Sequence, residues 1–146
     1  MDSVATSNAS RVRSIPRVLL TKSFIDSHER AIQTIAKALR DASMEVILFE
    51  YEVPEAIART AIDEDVDIIG ISFMSGGQVA VTQQLMSLLR EEGHGDLPVV
   101  VGGTIRPFDV DALEAAGVRR IFRGGEALHS VAEAFARLAA EYRAPR

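Results

Sequence analysis

RVLLTKSFIDSHERAIQTIAKALRDASMEVILFE, residues 17 to 50, holds two apolar runs separated by an amphipathic stretch. RVLLT (17 to 21) and EVILFE (45 to 50) are short and rich in Val, Ile, Leu and Phe, as suits strands covered by their neighbours. Between them Ile32, Ile35, Ala36 and Leu39 recur at i, i+3, i+4 and i+7, which is one face of a helix. Strand, helix and strand in close succession form the unit from which parallel sheets are built.

Working outward, the same alternation continues to the end of the chain. DIIGIS (67 to 72), PVVVG (98 to 102) and RRIFR (119 to 123) read as three further strands. Leu85, Leu88 and Leu89 mark a helix between the third and fourth, and a last helix runs from about Glu126 to Tyr142. Pro54 and Pro107 suit the first turns of helices that follow strands two and four, and Gly93 and Gly117 suit helix ends. Short connections and right-handed crossovers then predict an α/β fold. It is a doubly wound, flavodoxin-like sheet of five parallel strands, order 2-1-3-4-5, with helices on both faces. One domain is expected over 17–142, preceded by a disordered tail over 1–16 that is rich in Ser, Asn and Arg.

Bulk properties narrow the function. A chain of 146 residues, 47% hydrophobic and 25% charged, has room for one core. A net charge of -5 with both signs interspersed offers no face for phosphate, so no nucleic-acid partner is expected. With no cysteine there is neither disulfide nor thiolate chemistry, and a cytoplasmic location is expected. No apolar run reaches the roughly 20 residues of a membrane span, so no membrane role is expected.

In a sheet of this order, ligands bind beyond the carboxyl ends of the strands, where the order reverses between strands 1 and 3. The segments leaving strands 1, 3, 4 and 5 are KSFIDSHERA, SFMSGGQ, GGTIRPF and GGE, whereas strand 2 leaves into a plain EYEVPEA. Three of them carry glycine pairs: Gly76 and Gly77, Gly102 and Gly103, Gly124 and Gly125. A single pair often serves only a turn; three on one edge suggest close approach of a ligand. The acidic cluster of a phosphoacceptor domain, the phosphate loop of a flavodoxin and a G-x-G-x-x-G fingerprint are all missing. The first loop holds Lys22, Asp26 and His28 instead.

Imidazole is a good ligand for a transition metal, and a carboxylate normally holds its other ring nitrogen. Asp26, two residues before His28, suits that role. One histidine cannot hold a bare ion, so a metal bound here must bring most of its ligands with it, as cobalt does in a corrin.

These residues carry a resemblance. K-S-F-I-D-S-H-E-R-A, S-F-M and V-G-G-T-I resemble the K-x-x-x-D-x-H-x-x-G, S-x-L and G-G signature of cobalamin-binding domains, especially those of methylmalonyl-CoA mutase and its relatives. The similarity extends over about Arg17 to Phe135. It implies that His28 is the lower axial ligand of cobalt, that Asp26 accepts a hydrogen bond from the other ring nitrogen, and that Lys22 pairs with Asp26. It also implies that Ser72 hydrogen-bonds the displaced benzimidazole, that Gly102 and Gly103 line its slot, and that Gly124 and Gly125 belong to a later glycine loop. The Gly102 and Gly103 pair is thus expected to provide space for the cofactor rather than to serve folding.

Ser27, Glu29 and Met74 depart from the pattern, and Ala31 stands where the motif ends in Gly. A β-carbon at position 31 is costly if that position needs positive φ. Phe24 and Phe73 are expected to add bulk beside the site. The family's split mutases imply the role: the small subunit of an adenosylcobalamin-dependent acyl-CoA mutase, an isomerase inactive alone, whose large catalytic subunit supplies a barrel that binds acyl-CoA. The alternatives are a noncatalytic cobalamin carrier or sensor, a corrinoid protein of a methyltransferase, and a degenerate interaction domain.

Overall fold

The computed structural model describes residues 15–74 and 76–145; most of the expected tail, residues 1–14, lies outside them. Five strands, β1 (Arg17–Ser23), β2 (Glu45–Tyr51), β3 (Ile68–Phe73), β4 (Val99–Gly103) and β5 (Arg120–Phe122), form one parallel sheet in the order β2-β1-β3-β4-β5. The helices are α1 (Glu29–Asp41), α2 (Pro54–Asp63), α3 (Gln78–Glu91), α4 (Val110–Ala116) and α5 (Leu128–Arg143), with a 3-10 turn at Pro107–Asp109 before α4. This is the expected topology. Pro54 opens α2, and Gly117, at φ 108°, closes α4.

The period of two sorts the strand residues onto two cores. Leu19, Ile69, Ile71, Phe73, Val99 and Val101 face α2, α3 and α4. Val18, Leu20, Ile68, Val100 and Phe122 face α1 and α5, which also pack on each other. The α1 stripe read from the sequence is the buried one, with Ile32, Ala36 and Leu39 inward.

On the second face α1 leans on β1 and β2, while α5 leans on β3. The first turns of these helices line a gap over the carboxyl end of the sheet, and the strand register aligns one row of residues there, Glu50, Lys22, Ser72, Gly102 and Phe122, of which the last three line the gap. The row below it reads Leu48, Leu20, Gly70 and Val100. Gly70 is what makes that second row flat. A β-carbon there would lie 2.9 Å from both Leu20 Cδ2 and Phe135 Cζ, so the ring of Phe135 occupies the space a side chain would take.

Candidate functional site at the carboxyl end of the sheet

The gap between α1, α5 and the sheet is a cavity of about 660 Å³. Leu20, Ile32, Val100, Phe122, Val131 and Phe135 make its walls apolar. Phe122 and Phe135 are stacked, with ring centroids 5.7 Å apart, and give it a flat aromatic side. Ser72 and Met74 line it from the end of β3, and His28 with Ser27 and Glu29 lines its rim.

The rim is built by a short loop. Asp26 is buried, and its Oδ1 accepts two hydrogen bonds from His28: one from the backbone N–H at 2.8 Å and one from ring Nδ1 at 2.7 Å. Donation from Nδ1 fixes the tautomer that leaves the Nε2 lone pair free. The His28 side chain is 55% exposed, and it makes no capping bond to α1 although it occupies the N-cap position. Burial pushes the Asp26 carboxyl up. The His28 backbone N–H, then its ring, and the charge of Lys22 outweigh that and hold its pKa below the ordinary 3.8. Asp26 is therefore a carboxylate at neutral pH, directed at the ring it orients.

Lys22 differs from expectation. Its side chain is 3% exposed, and Nζ donates to the backbone carbonyl of Asp26 at 2.5 Å and not to the carboxylate. Its ion pair is with Glu50 on β2, Nζ to Oε2 3.1 Å, and Glu29 is at 3.9 Å.

The glycines also separate. Gly102, Gly103, Gly124 and Gly125 line the cavity, whereas Gly76 and Gly77 do not. Gly77, at φ 80°, only starts α3. Gly103 corrects the expectation that it provides space rather than serving the fold: it sits at φ 110°, and a β-carbon would strike the backbone carbonyl of Phe73. Ala31 lies in the first helical turn of α1 and is not among the residues with positive φ, so its methyl group carries no backbone cost. Phe73 is buried in the opposite core and Phe24 is exposed on the loop; neither lines the cavity.

A family model for the B12 binding domain matches residues 16–133. The chain belongs to the B12-binding domain family. It is 44% identical over 106 residues to the 2-hydroxyisobutanoyl-CoA mutase small subunit of Aquincola tertiaricarbonis, a match covering 72% of this chain and 78% of that one. It is 40% identical over 131 residues to the pivalyl-CoA mutase small subunit of Xanthobacter autotrophicus, covering 89% and 88%. Among solved structures, a cobalamin-binding protein from Desulfitobacterium hafniense superposes with a TM-score of 0.70 at 16% identity, over 86% of this chain and 60% of that one, which supports the fold.

The geometry of this B12-binding domain suits the group its family is named for. Among the described residues no cluster of three or more histidine or carboxylate groups could hold a bare ion. A lone imidazole with one nitrogen anchored can supply a single axial donor to a metal already held by a macrocycle. An apolar, aromatic-sided cleft beneath that imidazole suits a flat heteroaromatic base. No helix of the described residues is long and apolar enough to cross a membrane.

Sequence reasoning passed over two contributors, Gly70 and Glu50. Gly70 was open to detection as an isolated glycine within a strand, which commonly marks a close approach. Glu50 stands as far into its strand as Lys22 stands in the neighbouring one, so their pairing follows once β1 and β2 are aligned in register.

Tyr51, at the end of β2, is buried near the loop, and burial followed by the Asp26 charge pushes its phenol up to about 12. Above the ordinary 10.0 the unfolded chain ionises while the folded one keeps its proton until about 12. Stability from this group is therefore present below pH 10.0 and lost as pH rises toward 12. Urea midpoints of the wild type are expected to fall between about pH 9 and about pH 11, and Tyr51→Phe should show a smaller fall. Equal slopes would contradict the assignment.

Proposed function

We propose that this chain is the cobalamin-binding small subunit of an adenosylcobalamin-dependent acyl-CoA mutase. The observation that carries the reading is the Asp26–His28 pair, with Nδ1 held at 2.7 Å at the rim of an apolar cleft of about 660 Å³. His28 Nε2 would be the protein's donor to the cobalt of the cofactor, and Asp26 orients the ring that carries it. Ser72 would offer its hydroxyl, and Gly102 room, to the nucleotide tail of the cofactor in the cleft. Gly103 shapes the same wall through the backbone, and Gly124 and Gly125 form its outer rim. Lys22 holds the loop that carries the ligand. Bound adenosylcobalamin supplies the radical chemistry of a carbon-skeleton rearrangement. The chain's own part is to position the cofactor and to close its lower side.

Two relatives that are themselves mutase small subunits support the division of labour. A large catalytic subunit then brings the acyl-CoA site, and the complex works in the cytoplasm. The test is reconstitution of the purified chain with adenosylcobalamin. Expected are stoichiometric binding and the absorption spectrum of cobalamin whose benzimidazole has left the metal, with mutase activity appearing only when the large subunit is added. Failure to retain any corrinoid would overturn the proposal.

A further inference from the structure

A buried ammonium needs both acceptors and a counter-charge. For Lys22 the acceptor is the Asp26 carbonyl at 2.5 Å, with the Ser23 carbonyl at 3.4 Å. The Lys22 charge acts on the Asp26 carboxylate, whose Oδ1 accepts twice from His28, but forms no ion pair with it, so the direct counter-charge lies elsewhere. It comes from the neighbouring strand: Glu50 stands opposite Lys22 in the β1–β2 register and brings Oε2 to 3.1 Å. Glu29, at 3.9 Å and 60% exposed, is the weaker partner.

We infer that Glu50 is a positioning residue for the proposed cobalt ligand, acting through Lys22 to keep the Asp26 carboxylate for His28. The inference rests on the reading of His28 given above. Without the Glu50 charge, Lys22 keeps its place under the loop but lacks its nearest anion. Its flexible stem then lets Nζ turn from the carbonyl of Asp26 toward the carboxylate of the same residue. A carboxylate shared with an ammonium draws less on the Nδ1–H of His28, and Nε2 becomes a poorer donor. Glu50 therefore touches neither the cleft nor His28, yet sets how strongly His28 binds.

The experiment compares the wild-type chain, loaded with cobalamin and reduced to cobalt(II), with Glu50→Gln, using isotopically labelled histidine and electron paramagnetic resonance. Glu50→Gln should weaken the coupling between cobalt and the His28 nitrogen and lower cobalamin affinity about 10-fold, the low end for outer partners of metal-bound histidines. Glu50→Asp should restore part of both. In a Lys22→Met background, which removes the ammonium, Glu50→Gln should have no further effect. Wild-type coupling and affinity in Glu50→Gln, or an equal loss with and without Lys22, would overturn the inference while leaving His28 as ligand. Absence of histidine coupling in the wild type would instead remove the reading beneath it, and this inference with it.

Discussion

His28→Ala is expected to abolish the coupling between cobalt(II) and protein nitrogen in the reconstituted chain and to leave the fold intact. The fold should survive because the side chain is 55% exposed and makes no capping bond to α1. Asp26 also keeps its hydrogen bond from the backbone N–H of residue 28, which does not depend on the side chain. The cofactor should suffer more than it does from loss of the orienting group. Asp26→Ala should retain some ligation and lower affinity by about 10 to 100-fold, the range for outer partners of metal ligands, and His28→Ala should exceed it. Labelled-histidine spectra and equilibrium binding check both. Benzimidazole still on the metal in the wild type would sink the assignment.

Gly103→Val should lose much of the stability of the domain, with or without cofactor. At φ 110° a side chain is strained, at about 1–3 kcal/mol. The added β-carbon also meets the Phe73 carbonyl and lies 3.0 Å from Met74 Sδ. That carbonyl cannot move freely, since it accepts the Thr104 N–H at 2.8 Å. Overpacking of this kind costs about 1–3 kcal/mol more, against a total stability of about 5–15 kcal/mol. Urea unfolding without cofactor measures it, and a wild-type midpoint would refute it. Gly102→Ala is the control: its φ is ordinary, and its β-carbon would sit 3.3 Å from Phe122 Cβ and from the Phe122 carbonyl. That variant should fold and bind cobalamin less well.

Particular residues show how far the chain was legible. The strands were recognised by apolar, β-branched runs, and all five stand where those runs lie, although β1 continues through the polar Lys22 and Ser23. Those two residues are held in the strand by pairing with Glu50 and Tyr51, a contact between segments 28 residues apart. The start of α5 shows the reverse error. Glu126 reads as helical, yet α5 begins at Leu128, and the Glu126 carboxylate instead pairs with Arg120 at 2.5 Å. Asp26 and His28 were legible because their interaction is local, closed within two residues of one loop.

By itself the sequence determined the parallel sheet, its order, the edge that carries the cleft and the Asp26–His28 pair. Each follows from periodicity, from chain connectivity or from a short motif, and these are properties of neighbours along the chain. Only the tertiary structure decided that Lys22 answers to Glu50, that Gly103 yields to the carbonyl of Phe73, and that Gly70 makes way for Phe135. The physical reason is the same in all three. Each contact joins atoms on different elements, and its distance is set by strand register and helix placement. Those emerge when the two cores pack and are written in no single segment.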